Sequence, residues 1–149
     1  MSRVRNAVLL LCMLTCALAL APVASANSKS IQMLQQVNNV RAQAGVPALH
    51  FSQSLAHSAN NYSHKMMRGG YYGHAGRIQA SRRFRTLGEI LEYQRGGPKI
   101  GQSMHDWMNS PEHRSIILSR AFSFAGAGYV TGRFHGRTAT IWVMHFGRH

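Results

Sequence analysis

Cysteine is almost missing: the 149-residue chain has two, Cys12 and Cys16, both close to its start. Once a leading stretch holding both is removed, the remainder can form no disulfide and offers no thiol nucleophile or thiolate metal ligand. Acid is nearly as scarce, with 4 Asp and Glu against 17 Lys and Arg, a formal net charge of +13. Few of those cations can be paired within the chain. Such an excess favours anionic partners: nucleic acid, acidic glycans, cell-wall polymers or anionic lipid headgroups. Long apolar runs are absent after residue 20, so the remainder is not expected to carry a transmembrane anchor. There is no His-Glu-x-x-His helix and no Gly-x-Ser-x-Gly elbow, the patterns of a zinc protease and a serine hydrolase. No nucleic-acid-binding motif, internal repeat, linker or low-complexity segment is present either, which makes nucleic acid the least favoured of the anionic partners.

The leading segment has the form of an export signal. Arg3 and Arg5 precede an uncharged apolar run over residues 7–20, and Ala24-Ser25-Ala26 has the small-x-small pattern that signal peptidase cuts. Residues 1–26 are therefore read as a signal peptide and 27–149 as one mature domain, periplasmic or extracellular. A mature chain of this length can bury well over half of its unfolded surface without a disulfide.

Within the mature part, Ile31, Leu34, Val37 and Val40 predict a helix over residues 30–44, stopped by Gly45 and Pro47. Leu55, Ala59, Tyr62 and Met66 predict a second over 53–67, ended by Gly69-Gly70. Residues 71–97 are rich in glycine and read as loops. A third helix starts near Pro98 with Ile100, Met104, Trp107 and Met108 inward, and stops before Pro111. Ser110 as N-cap, Pro111 and Glu112 then open a short fourth helix through Leu118. Residues 125–131 and 138–146 read as a hairpin turning at Phe134-His135-Gly136-Arg137. The expectation is an α+β fold with helices around a small antiparallel sheet.

Several motifs fall along this framework in order. They are Asn38-Asn39-Val40-Arg41-Ala42-Gln43-Ala44-Gly45, Gly73-His74-Ala75-Gly76, Leu87-Gly88-Glu89, Trp107-Met108-Asn109-Ser110-Pro111-Glu112-His113-Arg114, Gly126-Ala127-Gly128-Tyr129, and the segment from Trp142 to Gly147. Together they resemble the CAP superfamily of cysteine-rich secretory proteins, antigen 5 allergens and plant pathogenesis-related proteins, in a cysteine-free, bacterial-type form. The resemblance implies an α-β-α sandwich whose central cleft gathers histidines and acids, in several members around a divalent metal. Matched by motif, those residues are His74, Glu89 and His113. Two imidazoles and a carboxylate suit Zn²⁺ or another divalent ion, with a fourth position open. Two departures stand out: Ile90 follows the motif glutamate where members commonly have Asn, and Ser110 stands where many carry a second cleft glutamate.

Three functions follow as expectations. The first is a non-enzymatic binding module whose cleft or basic surface holds a lipid, glycan or partner protein. The second is a metal-dependent hydrolase using His74, Glu89 and His113, in which the ion lowers the pKa of a bound water. The third is a charge-driven envelope or nucleic-acid binder, for which Arg82, Arg83 and Arg85 around Phe84 form the candidate patch. All four acids, Glu89, Glu92, Asp106 and Glu112, fall in one window behind Arg77, Arg82, Arg83 and Arg85. They are expected to pair with these arginines, cap a helix or face a cation. The remaining histidines, His145 among them, are read as surface or packing residues, and Trp107 and Trp142 as core.

Overall fold

The computed structural model describes residues 21–149. In chain order they form α1 (Ala21–Gln43), β1 (His50–Phe51), α2 (Gln53–Gly69), β2 (Thr86–Arg95), α3 (Ile100–Asn109), α4 (Pro111–Ile117), β3 (Phe124–Phe134) and β4 (Arg137–Arg148). Most of the expected export signal, with both cysteines, lies outside the described residues. Among the described residues, no helix is long and apolar enough to cross a membrane.

The sheet has the order β1-β3-β4-β2. Strands β3 and β4 form the expected hairpin, closing on His135 and Gly136, which both have positive φ (48° and 80°) as a tight primed turn requires. Strand β2 adds antiparallel to β4, with Thr86 opposite Arg148 and Arg95 opposite Ala139. The expected antiparallel sheet is in fact mixed, because the short β1 pairs parallel to β3. Strand β2 replaces the second half of the expected loop region. Its consecutive residues Glu89, Ile90 and Leu91 are all buried, so it lies covered on both faces and shows no polar-apolar alternation.

Alternation along β4 sorts the core into two layers. Trp142, Met144 and Phe146 face α1, α3 and α4, packing with Met33, Val37 and Trp107. Ile141 and Val143 face α2, packing with Ala59, Met66 and Leu91. The result is an α-β-α sandwich. Helix α2 lies unusually close to β3. A Cβ on Gly126 would stand 2.2 Å from the Ala56 nitrogen, and one on Gly128 2.2 Å from that of Asn60. The Gly-Ala-Gly motif is therefore what lets the helix backbone rest on the strand.

The buried face of α1 is Ser30, Met33, Leu34, Val37 and Arg41, while Ile31 is exposed. A strict three-residue spacing drifts around a helix of 3.6 residues per turn, so Ile31 rotates out of the stripe. Arg41 is buried because its guanidinium donates to the carbonyls of Pro47 (2.8 Å), Ile117 (2.6 Å) and Ser119 (2.9 Å). Asn38 brackets the backbone of Leu49, donating to its carbonyl and accepting from its N–H. The opening motif thus holds α1 to the chain that follows it and to the end of α4. Helix α2 starts on Ser52, whose hydroxyl accepts from the Leu55 N–H, and ends on Gly70 at φ 64°. Ser110 is extended (φ −94°, ψ 117°) and joins α3 to α4 ahead of Pro111, but its hydroxyl does not make the expected cap.

Candidate functional site

Glu89 projects from β2 toward α2, directly opposite His145 in the β2–β4 register, so the two side chains leave the same face of the sheet as neighbours. The Glu89 carboxylate is buried, and each of its oxygens accepts from the protein. Its Oε1 accepts from His74 Nδ1 at 2.9 Å and from the Ala75 N–H at 2.8 Å, and its Oε2 accepts from His145 Nε2 at 2.8 Å. An ionised carboxylate only accepts, which assigns the shared protons to Nδ1 of His74 and Nε2 of His145. In the neutral rings, His74 Nε2 and His145 Nδ1 are then the free lone pairs. The His74 side chain is 65% exposed and that of His145 is 1% exposed.

Burial alone would raise the Glu89 pKa. Hydrogen bonds from His145, the Ala75 backbone and His74, with the His145 charge, outweigh burial and hold the carboxyl below its ordinary range. The loop carrying His74 is fixed a second way by α2, since the Tyr62 hydroxyl donates to the Gly73 carbonyl at 2.7 Å. Burial, then Tyr71 and Glu89, push the Tyr62 phenol up to about 12, which keeps it a donor at neutral pH.

His113 sits half-buried on α4. Burial and the nearby charge of His74 pull its pKa down while Glu112 pulls it up, so it lies within electrostatic reach of His74. It has no hydrogen bond to Glu89. Of the three residues matched by motif, the structure joins His74 to Glu89 directly and places His113 only within electrostatic reach of His74. Among the described residues, no three His, Cys, Asp or Glu side chains are grouped so as to hold a metal ion. In this arrangement both Glu89 oxygens face imidazole N–H groups. The residue fits the orienting carboxylate behind a ligand histidine. His74 Nε2 and His113 remain the imidazoles that could meet a divalent ion.

His145 is the residue whose part in the site sequence reasoning missed: it is buried, as the packing reading had it, and it is also the second imidazole on Glu89. The signal that could have found it was its position in β4: it continues the Ile141, Val143 series, whose side chains face α2.

Between α2 and residues 71–79 lies a cleft of about 490 Å³, lined among others by Ser58, Tyr62, Lys65, His74, Arg77 and His145. The other acids stand apart from it. Glu92 is pushed up to about 7 by burial and by the Asp106 carboxylate, and Asp106 contacts His105 at 3.1 Å. Glu112 occupies the first turn of α4. Among the described residues each ion pair of an acid is with a histidine, and the expected pairing with arginines does not occur. Arg82, Arg83 and Arg85 lie at the surface or near it. Phe84 between them is turned inward, stacked on His149 and against Gly147, so it offers no platform for a base.

The sequence pattern of the cysteine-rich secretory protein family, CAP, matches residues 34–146. Protein YkwD of Bacillus subtilis (strain 168) is 27% identical over 122 residues, covering 77% of this chain and 45% of YkwD. The chain therefore spans less than half the length of that relative. An outer surface protein from Borrelia burgdorferi shares the fold with a TM-score of 0.64 at 17% identity, over 79% of this chain and 90% of that one. An extracellular protein containing an SCP domain, from Bacillus anthracis (strain Ames), gives a TM-score of 0.65 at 21% identity, over 83% of this chain and 41% of that one.

Proposed function

The chain belongs to the CAP family, and on that premise we propose that it is an exported binding module whose cleft between α2 and residues 71–79 holds a ligand without turning it over. The observation that carries this reading is the commitment of Glu89. A general base needs a free lone pair within reach of the proton it removes; three of the four lone pairs of Glu89 accept hydrogen bonds from the protein itself, and the carboxylate is buried behind the cleft lining rather than part of it. The residue serves instead to hold two imidazoles and the Ala75 backbone in place at the cleft. Export is supported by the charged, apolar and small-residue order of the leading segment and by relatives described as outer-surface and extracellular proteins. The ligand classes that fit are a lipid, a glycan or a group on a partner protein. The net charge favours anionic or amphipathic ones.

The hydrolase is the second reading, and the electrostatic coupling of His113 to His74 is the observation in its favour. A divalent ion, when bound, would supply Lewis acidity; His74 Nε2 and His113 would hold it, and Glu89 would orient His74. The deciding experiment is turnover of a panel of ester, amide and phosphoester substrates by the full chain, with and without added Zn²⁺. No rate above background is expected. Metal-dependent turnover that disappears in the His74→Ala/His113→Ala double variant would overturn the binding module in favour of the hydrolase.

A further inference from the structure

The cleft between α2 and residues 71–79 is lined by cations and by no carboxylate. Lys65 and Arg77 both belong to its lining and both are exposed. Among the described residues neither makes an ion pair, since each pair there joins an acid to a histidine. Glu89, the acid behind the lining, is engaged by His74, Ala75 and His145. The two cations come from facing walls. Ser58, Asn61, Tyr62 and Lys65 recur along α2 at three- and four-residue spacing and so share one side of the helix, whereas Arg77 belongs to the segment across from it. Asn61 and Gln79 add a neutral amide to each wall. The net charge of +13 deepens the positive potential of such a recess. Two unpaired cations on facing walls call for an anion, and they do so however His74 and His145 share protons with Glu89.

Their placement narrows the anion. A carboxylate is planar and offers its two oxygens along one edge, which suits a single guanidinium fork. A phosphoryl group directs three oxygens apart, so it can meet Arg77 on one wall and Lys65 on the other. As a monoester it carries a charge of about −1.5 to −2 near neutral pH, which matches two cations. Tyr71, 39% exposed, and Ile78 line the same cleft and offer apolar surface beside the charges. The volume of about 490 Å³ lies within the roughly 300–1,000 Å³ that small organic ligands occupy. We infer that the cleft binds a phosphate monoester with an apolar body, its phosphoryl oxygens bridging Lys65 and Arg77 and its body resting against Tyr71 and Ile78. This assignment rests on the binding-module reading and adds the ligand class to it. A phosphomonoester lipid headgroup and a soluble aromatic phosphate both present that chemistry.

The test is NMR titration of the ¹⁵N-labelled full chain, at fixed ionic strength, with phenyl phosphate, inorganic phosphate, benzoate and monomeric dihexanoyl phosphatidic acid. Phenyl phosphate should shift amides around Lys65, Tyr71 and Arg77. It should bind about tenfold more tightly than benzoate, which keeps the ring but has less charge and one oxygen fewer. Inorganic phosphate should bind more weakly than phenyl phosphate, and Tyr71→Ala should erase that difference. Lys65→Ala and Arg77→Ala, at exposed positions, should leave the urea midpoint unchanged and each weaken phenyl phosphate about threefold to tenfold. Replacing Arg82, Arg83 and Arg85 by alanine should not. Tighter binding of the phosphatidic acid than of phenyl phosphate identifies a lipid headgroup as the source, and the reverse identifies a soluble ester; both orders support the shared chemistry. Benzoate binding as tightly as phenyl phosphate, indifference to both Lys65→Ala and Arg77→Ala, or an equal loss in the triple arginine variant overturns the assignment. If both phosphate esters fail while an acidic oligosaccharide or peptide still shifts Tyr62 and His74, the phosphate assignment falls and the binding cleft stands. No shift there from any of these probes defeats both.

Discussion

At the residue scale, Glu89 is a bridge, and its replacement should be felt from two sides. Glu89→Gln keeps the shape but turns one acceptor oxygen into a donor facing an imidazole N–H. That leaves a buried donor unpaired, at a cost of about 1–3 kcal/mol in urea unfolding at neutral pH. The pH dependence follows from the depressed pKa. The folded carboxyl titrates below its ordinary value of 4.5, so its contribution is complete above that value and is lost as pH falls through the lower, folded pKa. Wild type should therefore lose stability in acid more steeply than Glu89→Gln. Glu92 has the opposite sign. Its folded pKa is raised from 4.5 to about 7, so the folded state binds the extra proton and stability declines as pH rises from 4.5 to about 7. Glu92→Gln should flatten that decline, and a decline equal to wild type would contradict the burial and Asp106 repulsion assigned to Glu92.

At the element scale, the contact between α2 and β3 sets the position of one cleft wall. Gly128→Ala puts a Cβ 2.2 Å from the Asn60 nitrogen, a backbone atom that cannot turn aside. The helix has to lift. A loss of about 2 kcal/mol or more in unfolding free energy is expected, as for overpacked cores. Gly132→Ala is the control on the same strand, since its Cβ would meet only the flexible Met67 side chain at 3.4 Å, and it should change stability by less than about 1 kcal/mol. Equal effects of the two substitutions would contradict the close helix approach. Element order was legible in the sequence where local signals were strong. The period of α2, the proline that opens α4 and the turn at His135 and Gly136 all mark real boundaries. Strand β2 was not legible because burial on both faces removes alternation, and the parallel pairing of the two-residue β1 leaves no local trace. The α1 stripe was right at Leu34 and Val37 and wrong at its ends, where Ile31 drifts out of it and a buried arginine, satisfied by three carbonyls, occupies a position that reads as polar surface.

At the scale of the whole molecule, charge and cleft are separate devices. Arg82, Arg83 and Arg85 lie on the segment before β2, outside the cleft lining. Replacing all three by alanine should weaken association with anionic vesicles at low salt and reduce its salt dependence, with binding in the cleft unchanged. The candidate site was half legible. His74 and Glu89 could be matched by motif, and the structure does bring them together. The partnership with His145 depends on cross-strand register between β2 and β4, which no spacing within either segment encodes. The role of Glu89 as an orienting group likewise depends on three donors that arrive from a loop and a distant strand.

The central claim, a ligand cleft organised by Glu89, is tested most directly by NMR. The full chain, labelled with ¹⁵N, is titrated in turn with acidic oligosaccharide, anionic vesicles and an acidic peptide free of basic residues, with backbone amide and imidazole shifts recorded at each step. The account predicts that at least one probe shifts signals clustered at Ser58, Tyr62, His74 and His145, and that Glu89→Gln diminishes those shifts. Perturbations confined to Arg82, Arg83 and Arg85, fading with salt and indifferent to Glu89→Gln, would contradict it.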